Sequence, residues 1–297
     1  MSFSWIAFTL LAAFSQSWRN AFQSKLSGTM SVAGVTLARF IWAGPIALIY
    51  LCALYQWKPV STPDFSGEFV FYIIAAAIMQ ILATGLMVML FKLENYAIGA
   101  GLAKCEAPVS AVLSVLFFGT ALTLTGWVGV LIGTLGVLIM SSSSGWRSLS
   151  PKVFLLGMAC STAFALTSLW VREASLSIGL PFPHSAAWVL FLVITLQTCI
   201  ICTYLFFRER DTLRQIFKKS KLVIMTSLAS VIGSLGWFSA MSLQAVPYVK
   251  TLGQVEVIFM VLISYFWLGQ SIARKDILAL ILLSIAAVLV MWQWRVG

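Results

Sequence analysis

The sequence predicts an all-α membrane protein of ten transmembrane helices, built as two inverted five-helix repeats. Composition, the spacing of apolar runs and a self-similarity between the halves carry that expectation. The 297 residues are 61% hydrophobic and 9% charged, with a mean hydropathy of +0.99. Soluble domains carry about 25% charged residues. A chain this apolar needs lipid as its main solvent, and little length remains for a separate catalytic or nucleic-acid domain. The net charge of +10 is read as Lys and Arg gathered in membrane-flanking loops, not as a nucleic-acid surface.

The apolar runs fall at 3–18, 31–55, 68–91, 96–118 and 123–140 in the first half. In the second half they fall at 152–170, 185–207, 221–243, 248–268 and 274–294. Each approaches the roughly 20 residues that a spanning helix needs. A barrel would instead show segments of about ten alternating residues. The first charge, Arg19, follows the first apolar run instead of preceding it, so that run is expected to be a span and not a cleaved signal.

With Arg39, Lys104 and Lys250 set aside as lying inside spans, most remaining basic residues fall on one side. Among them are Arg19, Lys25, Arg147, Arg208, Arg210 and Arg214, against only Lys58, Arg172 and Arg295 on the other. The positive-inside rule therefore places the 19–30, 141–152 and 208–221 loops in the cytoplasm and both termini outside. The five cysteines lie in apolar runs, and Cys199-Ile-Ile-Cys202 reads as two small residues on a lipid-embedded helix. His184, the single histidine, is expected in a loop. A His-based metal site is excluded on that count, and no cofactor is expected.

Shifting the chain by 150 residues lays Leu93 on Leu243, Leu102 on Leu252, Glu106 on Glu256, Ser114 on Ser264 and Gly119 on Gly269. Residues 1–140 and 152–297 are thus two repeats, with the serine-rich 141–151 stretch as a connector. Five spans per repeat is an odd number, so the second repeat enters the membrane from the opposite side. Inverted repeats of this kind belong to secondary transporters, whose sites lie near the midplane between the repeats.

The motifs Leu93-Glu94-Asn95-Tyr96-Ala97, Glu106-Ala107-Pro108, Phe117-Phe118-Gly119 and Gly126-Trp127-Val128-Gly129 resemble the EamA-type repeat of the drug/metabolite transporter superfamily. The second copy reads Leu243-Gln244-Ala245-Val246-Pro247, Glu256 and Trp267-Leu268-Gly269. The resemblance covers the chain once per half and is greatest to bacterial inner-membrane exporters of aromatic amino acids. It departs from the pattern at Thr120 and Gln270, where an acid often follows the Gly, and at Ile258, where Pro is missing. A coupling role tied to that acid does not carry over.

Glu106 and Glu256 fall near the middles of their spans. An ionised side chain there costs about 2.5–3.5 kcal/mol on insertion scales, so both are expected to face the bundle interior. They read either as proton-accepting or amine-binding carboxylates, or as structural groups held by hydroxyls or by backbone at a helix break. Gly99 shares the Glu106 face. Ser230, Ser234, Trp237, Met241 and Gln244 share one face of span 8, and the shift sends them to Gln80, Thr84, Met87, Phe91 and Glu94. These stripes are read as pathway lining.

Spans 1 and 6 add Ser15, Gln16 and Trp18, and Phe164, Ser168 and Trp170. Aromatic walls suit a planar, amphipathic solute. Trp5 and Trp57 read as interfacial belt residues. Lys104 is expected either to snorkel to the surface or to meet a substrate carboxylate, Lys250 to snorkel, and Arg39 either to do the same or to bind a carbonyl. Gly126, Gly129, Gly133 and Gly136 read as scaffold packing.

The expected function is a secondary transporter that exports aromatic or other small amphipathic amino acids by alternating access across a bacterial inner membrane, working as a monomer. A multidrug cation/proton antiporter using Glu106 and Glu256 is the alternative. An intramembrane enzyme finds too few acids and bases in this sequence, and no Walker motif supports ATP-driven transport.

Overall fold

A computed structural model describes residues 3–93, 103–141, 150–268 and 274–292. Gly99 lies outside the described residues, as do Glu94 and most of the expected connector. The described residues form helices joined by turns and short loops, with no strand among them. The helices of the first half are α1 (Ser4–Ser27), α2 (Val32–Phe40), α3 (Ala43–Trp57), α4 (Gly67–Leu93), α5 (Glu106–Phe118) and α6 (Leu124–Ser141). In the second half follow α7 (Pro151–Ser177), α8 (His184–Arg208), α9 (Arg210–Lys218), α10 (Ser220–Leu243), α11 (Val246–Gly253), α12 (Glu256–Leu268) and α13 (Arg274–Trp292).

Local chemistry starts and stops these helices. Serine hydroxyls of Ser31, Ser66 and Ser150 accept from Gly34, Phe69 and Val153 N–H, capping α2, α4 and α7, as short oxygen-bearing side chains do at helix N-termini. Pro151 follows at the first position of α7, where a missing N–H costs nothing. Gly119 closes α5 with φ +60°, a backbone conformation that disfavours a Cβ.

Among the described residues, six stretches are long and apolar enough to cross a membrane. They are Val32–Trp57, which joins α2 and α3, then α4, α7, α8, α10, and Val246–Ile263 across α11 and α12. Three shorter apolar stretches lie in α5, α6 and α13. Helix α1 has the length, at 24 residues, but carries Gln16, Arg19, Asn20, Gln23 and Lys25. The polar face of α1 is turned inward: Arg19, Asn20 and Gln23 are buried. Arg19 is therefore not in a loop, as its sequence position suggested, and does not belong in an orientation count.

Helix α1 packs along α10, α4 along α7, α6 along α13, and α3 against α8. The main core joins Trp5, Phe40, Phe69, Leu169, Leu190 and Phe238 from six helices. Trp5, expected in an interfacial belt, is 2% exposed and belongs to that core. His184 is likewise not in a loop: it begins α8, is fully buried and meets the Tyr55 ring edge-on at 5.1 Å. The outer surface is apolar, with Ile49, Phe71, Leu116, Leu131 and Phe207 all more than half exposed. Water would not tolerate so much exposed apolar area; lipid does.

Candidate functional site

Two helix breaks build the site. In the first half the chain turns at Lys104 and Cys105, and α5 begins at Glu106. Pro108 accounts for the interruption: it has no N–H to return to Lys104 C=O, and its ring would collide with that carbonyl in a continuous helix. In the second half the break falls at Gln254 and Val255, between α11 and α12, with no proline present. Here Gln254 and Val255 N–H bond three residues back, to Thr251 and Leu252 C=O at 3.2 and 3.1 Å, a tightened 3₁₀-type turn. The Trp237 ring of α10 packs where a Cβ on residue 253 would stand, so Gly253 is what lets the indole enter at the break.

Both glutamates thus stand at the first position of a helix, where the unpaired N–H groups and the helix dipole favour a negative charge. They are 5% and 0% exposed. Each meets a lysine from the opposite half. Lys104 Nζ donates to Glu256 Oε2, and Lys250 Nζ lies 3.4 Å from Glu106 Oε2. Lys104 and Lys250, read chiefly as snorkelling, are 4% and 7% exposed. They stay inside because a carboxylate awaits each of them, and pairing is what makes a buried charge tolerable.

Around these pairs runs a directed hydrogen-bond chain. Trp237 Nε1 donates to Gln16 Oε1 (2.7 Å), Gln16 Nε2 to Glu256 Oε2 (2.6 Å), and Asn20 Nδ2 to Glu256 Oε1 (2.8 Å). Lys250 Nζ sits 4.4 Å from the centre of the Trp237 ring, within cation–π range. Arg39, 2% exposed, neither snorkels nor binds a carbonyl. It donates from Nε to Ser230 Oγ (3.2 Å) and from Nη1 to Thr84 Oγ1 (2.6 Å), tying α2 to α10 and α4.

These groups surround a cavity of about 30 Å³, room for about two water molecules. Gln80, Met87, Glu106, Phe164, Ser168, Ser234, Trp237 and Met241 line it, so half of the two predicted stripes, Gln80, Met87, Ser234, Trp237 and Met241, meets at one place. Thr84 and Ser230 stand one bond behind, through Arg39, and Glu256 one bond behind, through Gln16, Asn20 and Lys104. Ser15 lies off the wall, in the α1–α10 contact beside Gly233. Trp18 and Trp170 are also off the wall, packed on Phe22 at 5.8 Å and on Phe71 at 6.4 Å.

No family model matches the chain, and no curated protein sequence does. Solved structures do: 28 chains match. One crystal structure superposes with a TM-score of 0.70 over 96% of this chain and 98% of that one, at 16% identity. Such a likeness shows that the fold occurs elsewhere, and nothing about chemistry.

Sequence reasoning did not name Asn20, Thr167 or Phe238 and read Arg39, Lys104 and Lys250 chiefly as snorkelling; all six are in the cavity wall. For the three cations a signal existed. Buried basic residues mid-span face protein or water, not lipid, and three of them in one chain are already a site. Asn20 and Phe238 gave no such signal, since periodicity does not say which neighbour a face meets. Among the described residues, no group of three His, Cys, Asp or Glu side chains could hold a metal ion. What the site offers is paired charges, oriented amides and an aromatic wall.

Proposed function

We propose that this protein is a secondary transporter that exports aromatic or other small amphipathic amino acids across a bacterial inner membrane by alternating access. The observation that carries the reading is the crossed pairing of buried charges, Lys104 with Glu256 and Lys250 with Glu106, at two helix breaks beside a closed, aromatic-walled cavity. Ions held at broken helices inside an apolar bundle are the hallmark of transporter sites.

The packing scheme supports the inverted repeat and the ten-span reading. Contacts of α1 with α10 and α12 are mirrored by those of α7 with α4 and α5, the exchange that a pseudo-two-fold axis between halves produces. The resemblance to the EamA-type repeat supplies the substrate class. A zwitterion offers each ion pair a partner of the opposite sign, and Trp237, Phe164 and Phe238 offer stacking surfaces. A cavity of about 30 Å³ does not admit a whole amino acid. Loading requires the halves to part, which in turn requires the ion pairs between them to open.

Counterflow in proteoliposomes tests the reading. Labelled phenylalanine should enter vesicles preloaded with unlabelled phenylalanine, and a Trp237→Ala variant should lose at least about tenfold of that exchange, on the scale of a buried aromatic contact. No exchange of phenylalanine, with uptake of tetraphenylphosphonium that needs a pH gradient and Glu106 or Glu256, would replace it with cation/proton antiport.

A further inference from the structure

The two ion pairs at the cavity do not include Arg39. Glu256 accepts from Asn20 on Oε1 and from Gln16 and Lys104 on Oε2, and Glu106 faces Lys250. Both carboxylates are thus engaged within the protein. Arg39 is different. It lines the same cavity, lies over the Phe40 ring at 5.0 Å, and among the described residues is hydrogen-bonded by two neutral hydroxyls, those of Ser230 and Thr84. Among the described residues no carboxylate oxygen lies within 4.0 Å of its guanidinium, and Nη2 donates to no protein group. A guanidinium keeps its proton in proteins, so this positive charge cannot be shed to make burial tolerable.

We infer that the cavity is an anion site, in which Arg39 binds the carboxylate of the transported molecule, so that recognition requires the acid group and not the amine. The inference rests on the transport reading and narrows it. Three cations, Arg39, Lys104 and Lys250, face the cavity against Glu106 on the wall and Glu256 behind it. Among the described residues, cations therefore outnumber carboxylates at the site before anything enters. An incoming ammonium reaches Glu106 only by displacing Lys250, whereas an incoming carboxylate finds Arg39 already oriented.

Ser230 and Thr84 hold the guanidinium from Nε and Nη1, leaving Nη2 to donate to a carboxylate. The apolar part of the ligand meets Trp237, Phe164 and Met87. Because Arg39 is held from α2 by α4 and α10 together, its acid ligand would also be sensed by both halves at once.

The test is equilibrium binding to the purified full chain in detergent, with matched ligands that differ only in charge. The pairs are 3-phenylpropionate with phenethylamine, and 4-methylpentanoate with 3-methylbutylamine. The acid of at least one pair should bind about tenfold or more tightly than its amine, the scale of a hydrogen-bonded ionic contact. Arg39→Gln should abolish the preference, and Arg39→Lys should keep part of it. An amine that binds as tightly as its acid in wild type, no binding of either acid, or an intact preference in folded Arg39→Gln would each overturn the inference. If Arg39→Gln does not fold, the wild-type comparison decides alone. Acid binding without phenylalanine counterflow would end the amino-acid reading and keep the anion site. Phenylalanine counterflow with equal binding of acid and amine would do the reverse.

Discussion

At the scale of residues, the centre of this protein is organised by charges that cannot leave. Lys250 lies between Glu106 at 3.4 Å and the Trp237 ring at 4.4 Å, and it is stable there only while the carboxylate is ionised opposite it. Lys250→Met should leave Glu106 buried without its counter-ion, a loss of about 3–5 kcal/mol. Adding Glu106→Gln should recover part of that loss, with a coupling of at least about 1 kcal/mol in a double-mutant cycle read from unfolding in detergent. Additive losses would mean that the two groups do not act as a pair. Gly253 makes a second residue-level prediction. A methyl there would overlap the Trp237 indole, so Gly253→Ala should cost about 1–3 kcal/mol as overpacking and shift the tryptophan emission. An unchanged melting temperature and spectrum would show that the ring does not depend on that opening.

At the scale of elements, glycine placement decides how closely helices approach. A Cβ on Gly236 would stand 2.6 Å from Phe8 C=O and 3.0 Å from Ala12 N, both backbone atoms of α1. One on Gly233, a turn earlier on the same helix, would meet nothing nearer than 3.6 Å. Gly236→Ala should therefore push α1 from α10 and cost about 1–3 kcal/mol, whereas Gly233→Ala should be neutral or gain about 0.5–1 kcal/mol from helix propensity. Thermal melts of the two variants side by side check this, and equal shifts would sink it. The same logic governs α6, whose Gly129, Gly133 and Gly136 face Val290, Gln254 and Ala279 across to α13 and the second break. Their spacing was readable in the sequence as packing, but their partners were not.

At the scale of the whole molecule, a cavity of about 30 Å³ lies between the two halves, and the proposed transport requires them to part. In a background without native cysteines, Ser234→Cys should react with a small thiol reagent only slowly, since Ser234 is 3% exposed. Saturating ligand should slow the reaction further, and fast labelling that ligand leaves unchanged would contradict a closed site. The same approach tests the orientation read from basic residues. Lys58→Cys, on the α3–α4 connection, should label in intact cells, and Ser220→Cys, beside the basic α9, only after the membrane is opened. The reverse pattern would invert the molecule.

Much of this was legible in the chain itself, because period and composition are local properties. Lipid as solvent, helices as the only elements, the polar stripes of α4 and α10 and the inward glutamates follow from which residues recur at which spacing. Pro108 even marks the first helix break, since its missing N–H acts wherever it stands. Pairing is not local. Lys104 meets Glu256 and Lys250 meets Glu106 only when α5 and α11 are brought together from opposite ends of the sequence. A lysine with no visible partner reads as one that reaches for water, and only packing reveals the carboxylate that keeps it inside. Arg39 likewise acquires its two hydroxyls from α4 and α10, and no spacing along α2 announces them. Apolar runs and polar faces can be read along the chain, whereas which charges meet emerges only from packing, because the energy of a buried charge depends on its neighbours in space and not on its neighbours in the chain.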